Sequence, residues 1–350
     1  MDKKYIKRTF ELALLGIGNV SPNPMVGAVV VYKNIIIGES YHKKFGGPHA
    51  EVNAINSVKN KNLLKHSTIY VNLEPCSHHG KTPPCTDLII KNKIKRVVIS
   101  CKDSFAKVSG NGIKKLKNAG IEVTFGILEK EGRELNRRFF TFHEIKRPYI
   151  ILKWAQTMDG FIDIIRNKYV PIKPIWITNE LARTLVHKYR TEEDAIMVGT
   201  NTCNKDNPKL NVRDWSGKSP TRILLDRHLR LNKKLFIFDK SIPTIVFTEK
   251  ENTKNTKNLE FIKIHSKQKV LDVFLDILYE REIISVIIEG GYQLHKSFIQ
   301  QNLWDEARIF VGDKFFHKGI PSANINGKLI EKRNLLNSNL FIYRNKKILI

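Results

Sequence analysis

Hydrophobic positions along the first 145 residues alternate between two periods. Tyr5, Ile6, Phe10, Ala13 and Leu14 fall at helical spacing and Gly16 and Gly18 follow them, so a helix is expected over residues 3–16. Residues 26–32 and 35–40 are β-rich runs separated only by Lys33-Asn34, which predicts a hairpin. Further along, the pattern predicts a helix over 48–58, a strand over 68–73, a helix opening at Cys85 behind Pro83-Pro84, and a strand over 96–100. A helix over 112–119, a strand over 121–124 and a helix over 129–142 complete the alternation. Such a chain folds as a three-layer α/β/α domain.

The periodicity restarts after Lys146-Arg147-Pro148, where a strand over 149–154 begins, so the expected domains are 1–146 and 147–350. Residues 194–199 read as a buried strand ending in glycine. The near-continuous apolar run 283–288 predicts a central parallel strand, delivering Glu289-Gly290-Gly291 into a helix over 292–300. Residues 305–311 and 341–349 alternate and are expected to close this second sheet, while the Lys- and Asn-rich residues 250–270 hold one strand at most. The fold class is α/β throughout.

Composition narrows the class. At 350 residues and 41% hydrophobic, the chain can bury two cores. It has no apolar run long enough to span a membrane and no signal-type apolar stretch behind Met1, so a soluble cytoplasmic protein with no membrane partner is expected. Four cysteines, of which Cys101 and Cys203 stand apart from the other two, are too few and too scattered for a disulfide framework.

Chemistry concentrates in Pro48-His49-Ala50-Glu51 and in the stretch Pro75-Cys76-Ser77-His78-His79-Gly80-Lys81-Thr82-Pro83-Pro84-Cys85. One imidazole, His49, and two thiols, Cys76 and Cys85, are a three-ligand set that leaves zinc's fourth position open for a water that the metal acidifies. Glu51 fits the general acid/base of a zinc deaminase, because ammonia must be protonated as it leaves while the attacking water loses its proton. Either half alone is weak: His-x-Glu is common by chance, and a cysteine is usually a small buried apolar residue. Their co-occurrence in order favours a catalytic metal site. A helix N-terminus at Cys85 would also stabilise the thiolate that binds metal.

The long Cys76–Cys85 loop, with Pro22-Asn23-Pro24-Met25-Val26-Gly27 before it, closely resembles the deaminase half of the bifunctional RibD family of riboflavin biosynthesis. The resemblance implies His49, Cys76 and Cys85 as zinc ligands, Glu51 as proton shuttle, and Asn23, His42, His78 and Lys81 as substrate contacts. The family's Asp-Pro-x-Pro-x-Val-x-Gly-x-Gly segment becomes Asp103-Ser104-Phe105-Ala106-Lys107-Val108-Ser109-Gly110-Asn111-Gly112 here, with both prolines lost.

From residue 149 the chain resembles the family's reductase half, whose fold is like that of dihydrofolate reductase. Lys153 to Gly160, Trp176-Ile177-Thr178 and the spacing of Thr202, Asp206, Pro208, Leu210 and Arg213 carry that likeness. It implies substrate contacts at Lys153, Arg190, Leu210, Arg213 and Glu289, with Arg190 and Arg213 on a phosphate. It implies an NADPH site at Ala155, Trp176, Thr202 and Asp206, completed by the loop Gly291, Tyr292, Gln293, Leu294, His295, Lys296 and Ser297. Pro174 stands where the family has a substrate-contacting serine and the approach to Trp176 is longer, which leaves a scaffold-only second half as an alternative. The implied reactions are zinc-dependent deamination of 2,5-diamino-6-(5-phosphoribosylamino)pyrimidin-4-one and NADPH-dependent reduction of its ribosyl group to ribityl, in a homo-oligomer.

Sixty Lys plus Arg against thirty-four Asp plus Glu, a formal +26, would ordinarily point to nucleic acid, and a nucleic-acid base deaminase is the second alternative. The excess is mostly lysine spread from Lys3 to Lys347 and forms no patch, so no nucleic-acid partner is expected. A phosphorylated pyrimidine and NADPH suit the same positive field.

Overall fold

Lys33 and Asn34 carry φ of 46° and 64°, the pair of left-handed positions that a two-residue hairpin turn of the I′ kind demands. Between them β1 (Gly27–Tyr32) folds back on β2 (Ile35–Tyr41), with Tyr32 opposite Ile35. The computed structural model describes all residues except 79–82, 105–109, 168, 252–253, 266–268 and 348–350. The chain divides into two units, Met1–Lys146 and Arg147–Ile350.

In the first unit α1 (Asp2–Leu14) precedes the hairpin. After it come α2 (Ala50–Ser57), β3 (Thr68–Leu73), α3 (Cys85–Lys91), β4 (Arg96–Cys101), α4 (Asn111–Asn118), β5 (Glu122–Phe125), α5 (Glu129–Leu135) and α6 (Arg137–Ile145). The sheet runs β2-β1-β3-β4-β5, with β3, β4 and β5 parallel and β1 antiparallel to both its neighbours. Strand alternation splits β1 between two cores. Ala28 and Val30 pack with Ala54, Ile55, Ile89 and Leu116 of α2, α3 and α4. Val29 and Val31 pack with Tyr5, Ile6 and Leu12 of α1. This is the expected three-layer domain.

Two local expectations change. The single helix over 129–142 is two helices that break at Asn136, whose φ and ψ are −99° and 25°. Apolar periodicity runs through the break, but the buried Asn136 side chain is spent on the backbone of Met25, to which it both donates and accepts. The helix expected over 48–58, with His49 in its first turn, starts later: His49 is the extended residue before that turn, with ψ of 165°, and α2 starts at Ala50.

The second unit is built on nine strands in the order β11-β10-β9-β8-β12-β6-β13-β16-β15. In chain order these and their connections are β6 (Tyr149–Gln156), β7 (Phe161–Asp163), α7 (Glu180–Glu192), β8 (Ala195–Gly199), α8 (Thr200–Asp206), β9 (Thr221–Leu225), β10 (Thr244–Thr248) and β11 (Leu259–Lys263). They continue with α9 (Val270–Glu280), β12 (Ser285–Ile288), α10 (Tyr292–Gln300), β13 (Glu306–Gly312), β14 (Ile320–Pro321), β15 (Gly327–Leu335) and β16 (Ser338–Asn345). The seven strands from β11 to β13 are parallel, and β16 and β15 complete one edge antiparallel. As expected, β12 is central, flanked by β8 and β6. Phe274, Leu278 and Phe298 of α9 and α10 cover one face, and Leu231, Leu235 and Ile237 cover the other.

Parallel strands fix where chemistry can sit, because their carboxyl ends open into crevices beyond the sheet. The end of β3 delivers Glu74-Pro75-Cys76, and the end of β12 delivers Glu289-Gly290-Gly291. Among the described residues no helix is long and apolar enough to cross a membrane.

Candidate active sites

The first site forms where α2, the end of β3 and α3 meet. His49 enters just before α2, Cys76 lies three residues beyond β3, and Cys85 opens α3 behind Pro84. His49 Nδ1 is 3.5 Å from Cys76 Sγ and 3.3 Å from Cys85 Sγ, and the three ligand atoms all lie within 4.8 Å of one another. The Cys85 backbone N–H donates to Cys76 Sγ at 3.3 Å. One imidazole nitrogen and two sulfurs at this spacing fit a tetrahedral zinc ion with one position left open.

Charge in the cluster follows from these contacts. Hydrogen bonding with Cys85 pulls the Cys76 thiol down to about 4, and the same pairing pushes Cys85 up. Hydrogen bonding to Cys76 raises His49 to about 9 against the effect of burial. Glu51 is 3% exposed. Burial pushes its carboxyl up to about 7 despite the nearby His49 charge.

Asn23 and His42 come together beside this cluster. His42 Nδ1 faces the Pro48 carbonyl at 3.0 Å, and its Nε2 is 3.1 Å from the Asn23 side-chain nitrogen. A carbonyl only accepts, so Nδ1 carries the proton, and in the neutral ring that burial favours, Nε2 accepts from Asn23. The His42 ring stands edge-on to His49, 5.6 Å between centroids. His78 is half-buried in the segment after Cys76, while Lys81 and residues 105–109 lie outside the described residues.

Sequence reasoning did not single out Glu74. Buried at the end of β3, its carboxylate accepts the N–H groups of Asp103, Gly110 and Ile113 at 3.3, 3.0 and 3.1 Å, tying the segment after β4 and the start of α4 to Pro75-Cys76. The two glycines of that segment have separate reasons: Gly110 sits at φ 76°, and a Cβ on Gly112 would stand 2.2 Å from the Pro75 carbonyl.

The second site is a cavity of about 1200 Å³ in the second unit. It is lined by Lys153, Arg190, Leu210, Arg213 and Glu289, and also by Ala155, Trp176, Thr202, Asp206 and Gly291. Tyr292, Gln293, Leu294 and Ser297 join them. Two expected members do not. His295 is a core residue, Nε2 bonded to the Ile288 carbonyl at 3.0 Å and its ring against Trp154, and the exposed Lys296 lies over the Tyr292 ring. Seven consecutive residues of a helix entry cannot all face one cavity at 3.6 residues per turn.

Glu289 is the electrostatic centre of this cavity. Arg190 grips it at 2.8 Å and Lys153 Nζ lies 3.8 Å away. Burial pushes Glu289 upward, but Arg190 and Lys153 outweigh it and hold the carboxyl at about 2. Burial lowers Lys153. Thr202 Oγ1 accepts the Gly291 N–H at 3.0 Å, and Gly290 packs so tightly that a Cβ would meet Leu294 at 2.5 Å. A glycine turn at the N-terminus of α10 beside a cavity this large fits the phosphate groups of a dinucleotide. Pro174 also lines the cavity, as does Arg166, which holds Asp163 and Asp206 at 2.9 and 2.7 Å.

A metal-ligating His-Cys-Cys cluster beside a buried carboxylate in an α/β/α domain defines a deaminase-type centre, and the second unit is a reductase-type α/β domain. Residues 1–101 match the cytidine and deoxycytidylate deaminase zinc-binding region, and residues 148–322 match the RibD C-terminal domain. The chain is 42% identical over 336 residues to the riboflavin biosynthesis protein RibD of Aquifex aeolicus, covering 95% of this chain and 92% of that one. It is 38% identical over 318 residues to RibD of Bacillus amyloliquefaciens, covering 89% and 84%. Its structure resembles a crystal structure from Thermotoga maritima with a TM-score of 0.88 and 39% identity over 98% of each chain.

The chain belongs to the RibD family of riboflavin-biosynthesis enzymes. It is bifunctional, a zinc-type deaminase followed by a reductase, and membership favours neither the scaffold-only nor the nucleic-acid alternative.

Proposed function

We propose that the first unit removes ammonia from 2,5-diamino-6-(5-phosphoribosylamino)pyrimidin-4-one and that the second reduces the ribosyl group of the deaminated product to ribityl with NADPH. The observation that carries this is the convergence of His49 Nδ1, Cys76 Sγ and Cys85 Sγ within 4.8 Å, beside the buried Glu51. The Thermotoga maritima relative is described as a diaminohydroxyphosphoribosylaminopyrimidine deaminase and 5-amino-6-(5-phosphoribosylamino)uracil reductase, which supports the substrate assignment.

His49, Cys76 and Cys85 would hold the zinc ion, which when bound makes a water a good nucleophile near neutral pH. Glu51 takes the proton that water loses and returns it to the departing amine, so that water and an aminopyrimidine become a pyrimidinone and ammonia. Asn23, oriented by the neutral His42, keeps its side-chain oxygen for the edge of the pyrimidine, with His78 and Lys81 as further contacts.

In the second unit, Ala155, Trp176, Thr202, Asp206 and the entry to α10 would hold NADPH, which supplies hydride to the ribosyl carbon. Lys153, Arg190, Leu210, Arg213 and Glu289 would hold the phosphorylated substrate. The nearly dry Lys153–Glu289 pair keeps a cation and an acceptor fixed in place before substrate arrives.

The test is Glu51→Gln in the full chain. Ammonia release is expected to fall by about 10²-fold or more, while zinc content stays at wild-type level and NADPH oxidation with the deaminated intermediate continues. Deamination at wild-type rate would refute the assigned role of Glu51.

A further inference from the structure

Residues 164–175, the approach to Trp176 that is longer here than in the family, carry one nearly buried charge. The Arg166 side chain is 8% exposed, and all three of its nitrogens are engaged by protein. Nε donates to the two oxygens of Asp163 at 3.0 and 2.9 Å, and Nη1 donates to the Lys173 and Lys205 carbonyls at 3.0 and 2.8 Å. Nη2 donates to Asp206 Oδ1 at 2.7 Å. One planar guanidinium therefore joins three pieces of chain: the end of β7, the approach to Trp176 and the last turn of α8.

Other contacts hold this stretch only in part. Among the described residues β7 pairs with the two residues of β14 alone, outside the nine-stranded sheet. The backbone hydrogen bonds of 164–175 stay inside the stretch among the described residues: Val170 N–H donates to the Asn167 carbonyl, and Lys173 N–H to the Pro171 carbonyl. Ile165, Tyr169 and Ile172 are exposed, so they add little packing. At the far end Lys314 Nζ donates to the Trp176 carbonyl at 2.6 Å.

Asp163, Arg166, Pro174, Trp176 and Asp206 all line the reductase cavity. Their charges decide what Arg166 does there. Arg166 and Lys205 are matched by Asp163 and Asp206, with Lys205 Nζ 3.7 Å from Asp163. A balanced cluster whose guanidinium nitrogens are all engaged is not a receptor for an anion. It is a brace, because charge-assisted bonds from a rigid fork fix orientation as well as distance. A wall held in place before the ligand arrives spares binding the cost of ordering it.

We propose that Arg166 is a positioning residue for the cofactor: it ties the lengthened approach to Trp176 to the end of α8, and so holds Trp176 and Asp206 in one fixed arrangement before NADPH binds. The stretch that departs from the family in length, and at Pro174 in chemistry, is thereby a working wall of the cavity. This rests on the reading of the second unit as an NADPH-dependent reductase.

The test compares the full-length wild type with Arg166→Ala and Arg166→Lys. NADPH binding is titrated by its fluorescence, and NADPH oxidation is followed with the deaminated intermediate. Arg166→Ala should raise both Kd and KM for NADPH by about 10- to 100-fold, with kcat at saturating NADPH and KM for the deaminated intermediate changed little. Arg166→Lys keeps the charge between Asp163 and Asp206 but lacks the fork, and its NADPH affinity should fall between the two. If Arg166→Ala does not fold, Arg166→Lys decides on the same split. Unchanged NADPH affinity, or an equal loss for NADPH and for the intermediate, would overturn the proposal. A wild type that binds no NADPH would instead overturn the reading of the second unit beneath it.

Discussion

The Asn136 side chain closes a two-point bond on the backbone of Met25: its oxygen accepts the Met25 N–H and its amide donates to the Met25 carbonyl, each at 2.9 Å. Asn72 donates to the same carbonyl at 2.9 Å and accepts the Gly27 N–H at 2.8 Å. The segment carrying Asn23 is thus fixed by two buried amides from β3 and from the helix break. Asn136→Ala leaves the Met25 N–H buried without its partner, a loss of about 1–3 kcal/mol. The expected outcome is a lower denaturant midpoint for ammonia release and faster amide exchange at Met25. Unchanged exchange at that amide would show that the clamp contributes nothing.

The two activities should separate on metal removal. The three proposed ligands belong to the first unit, and the cavity lined by Lys153 and Glu289 belongs to the second. Dialysis against a chelator is expected to abolish ammonia release and leave NADPH oxidation with the deaminated intermediate intact. Zinc should restore the first activity. Equal loss of both on chelation would contradict this division of labour.

Acid should destabilise the second unit in two stages. Burial lowers His187 and His295 from 6.5 to about 4, and Glu289 is held at about 2 against an ordinary 4.5. All three take up protons more readily in the unfolded chain than in the folded one, so stability falls as pH drops. The histidine part of the loss runs from about 6.5 to 4, and the Glu289 part from about 4.5 to 2. All four tryptophans lie beyond residue 147, so denaturant titration followed by tryptophan fluorescence reports this unit alone. A midpoint that stays level from pH 6.5 to 4 would contradict the histidine assignment.

Much of this architecture is legible in apolar spacing. Strand β3 covers the Thr68–Leu73 stretch that the sequence pattern predicts, and Cys85 opens α3 because Pro83-Pro84 cannot continue a preceding element. The central place of β12 follows from a run that is apolar on both faces. What escaped has a different physical origin. The break at Asn136 depends on a hydrogen bond to Met25, 111 residues away in the chain, and no local pattern records a partner that distant. Strands β9 and β10, five residues each, also went unread, although each is largely apolar.

The site divides in the same way. His49, Glu51, Cys76 and Cys85 announce themselves by residue type and order, because few chemistries use that set. Glu74 carries no signal in the sequence beyond a glutamate at a strand end, and only the fold shows the backbone donors of Asp103, Gly110 and Ile113 turned towards it.

Gly112 offers the sharpest test of how the metal loop is held. A Cβ there would lie 2.2 Å from the Pro75 carbonyl and 3.1 Å from Glu74 Oε1. Neither neighbour can give way easily: Pro75 is backbone next to Cys76, and the Glu74 carboxylate is already fixed by three N–H groups. Gly112→Ala must therefore push Pro75, and Cys76 with it, away from His49 and Cys85. Zinc content and ammonia release are expected to fall together, with NADPH oxidation untouched. Gly199→Ala, where a Cβ meets nothing within 4 Å but faces the cavity of the other unit, should leave zinc content and ammonia release at wild-type level. Full zinc occupancy in the Gly112→Ala protein would show that the loop takes its position from other contacts.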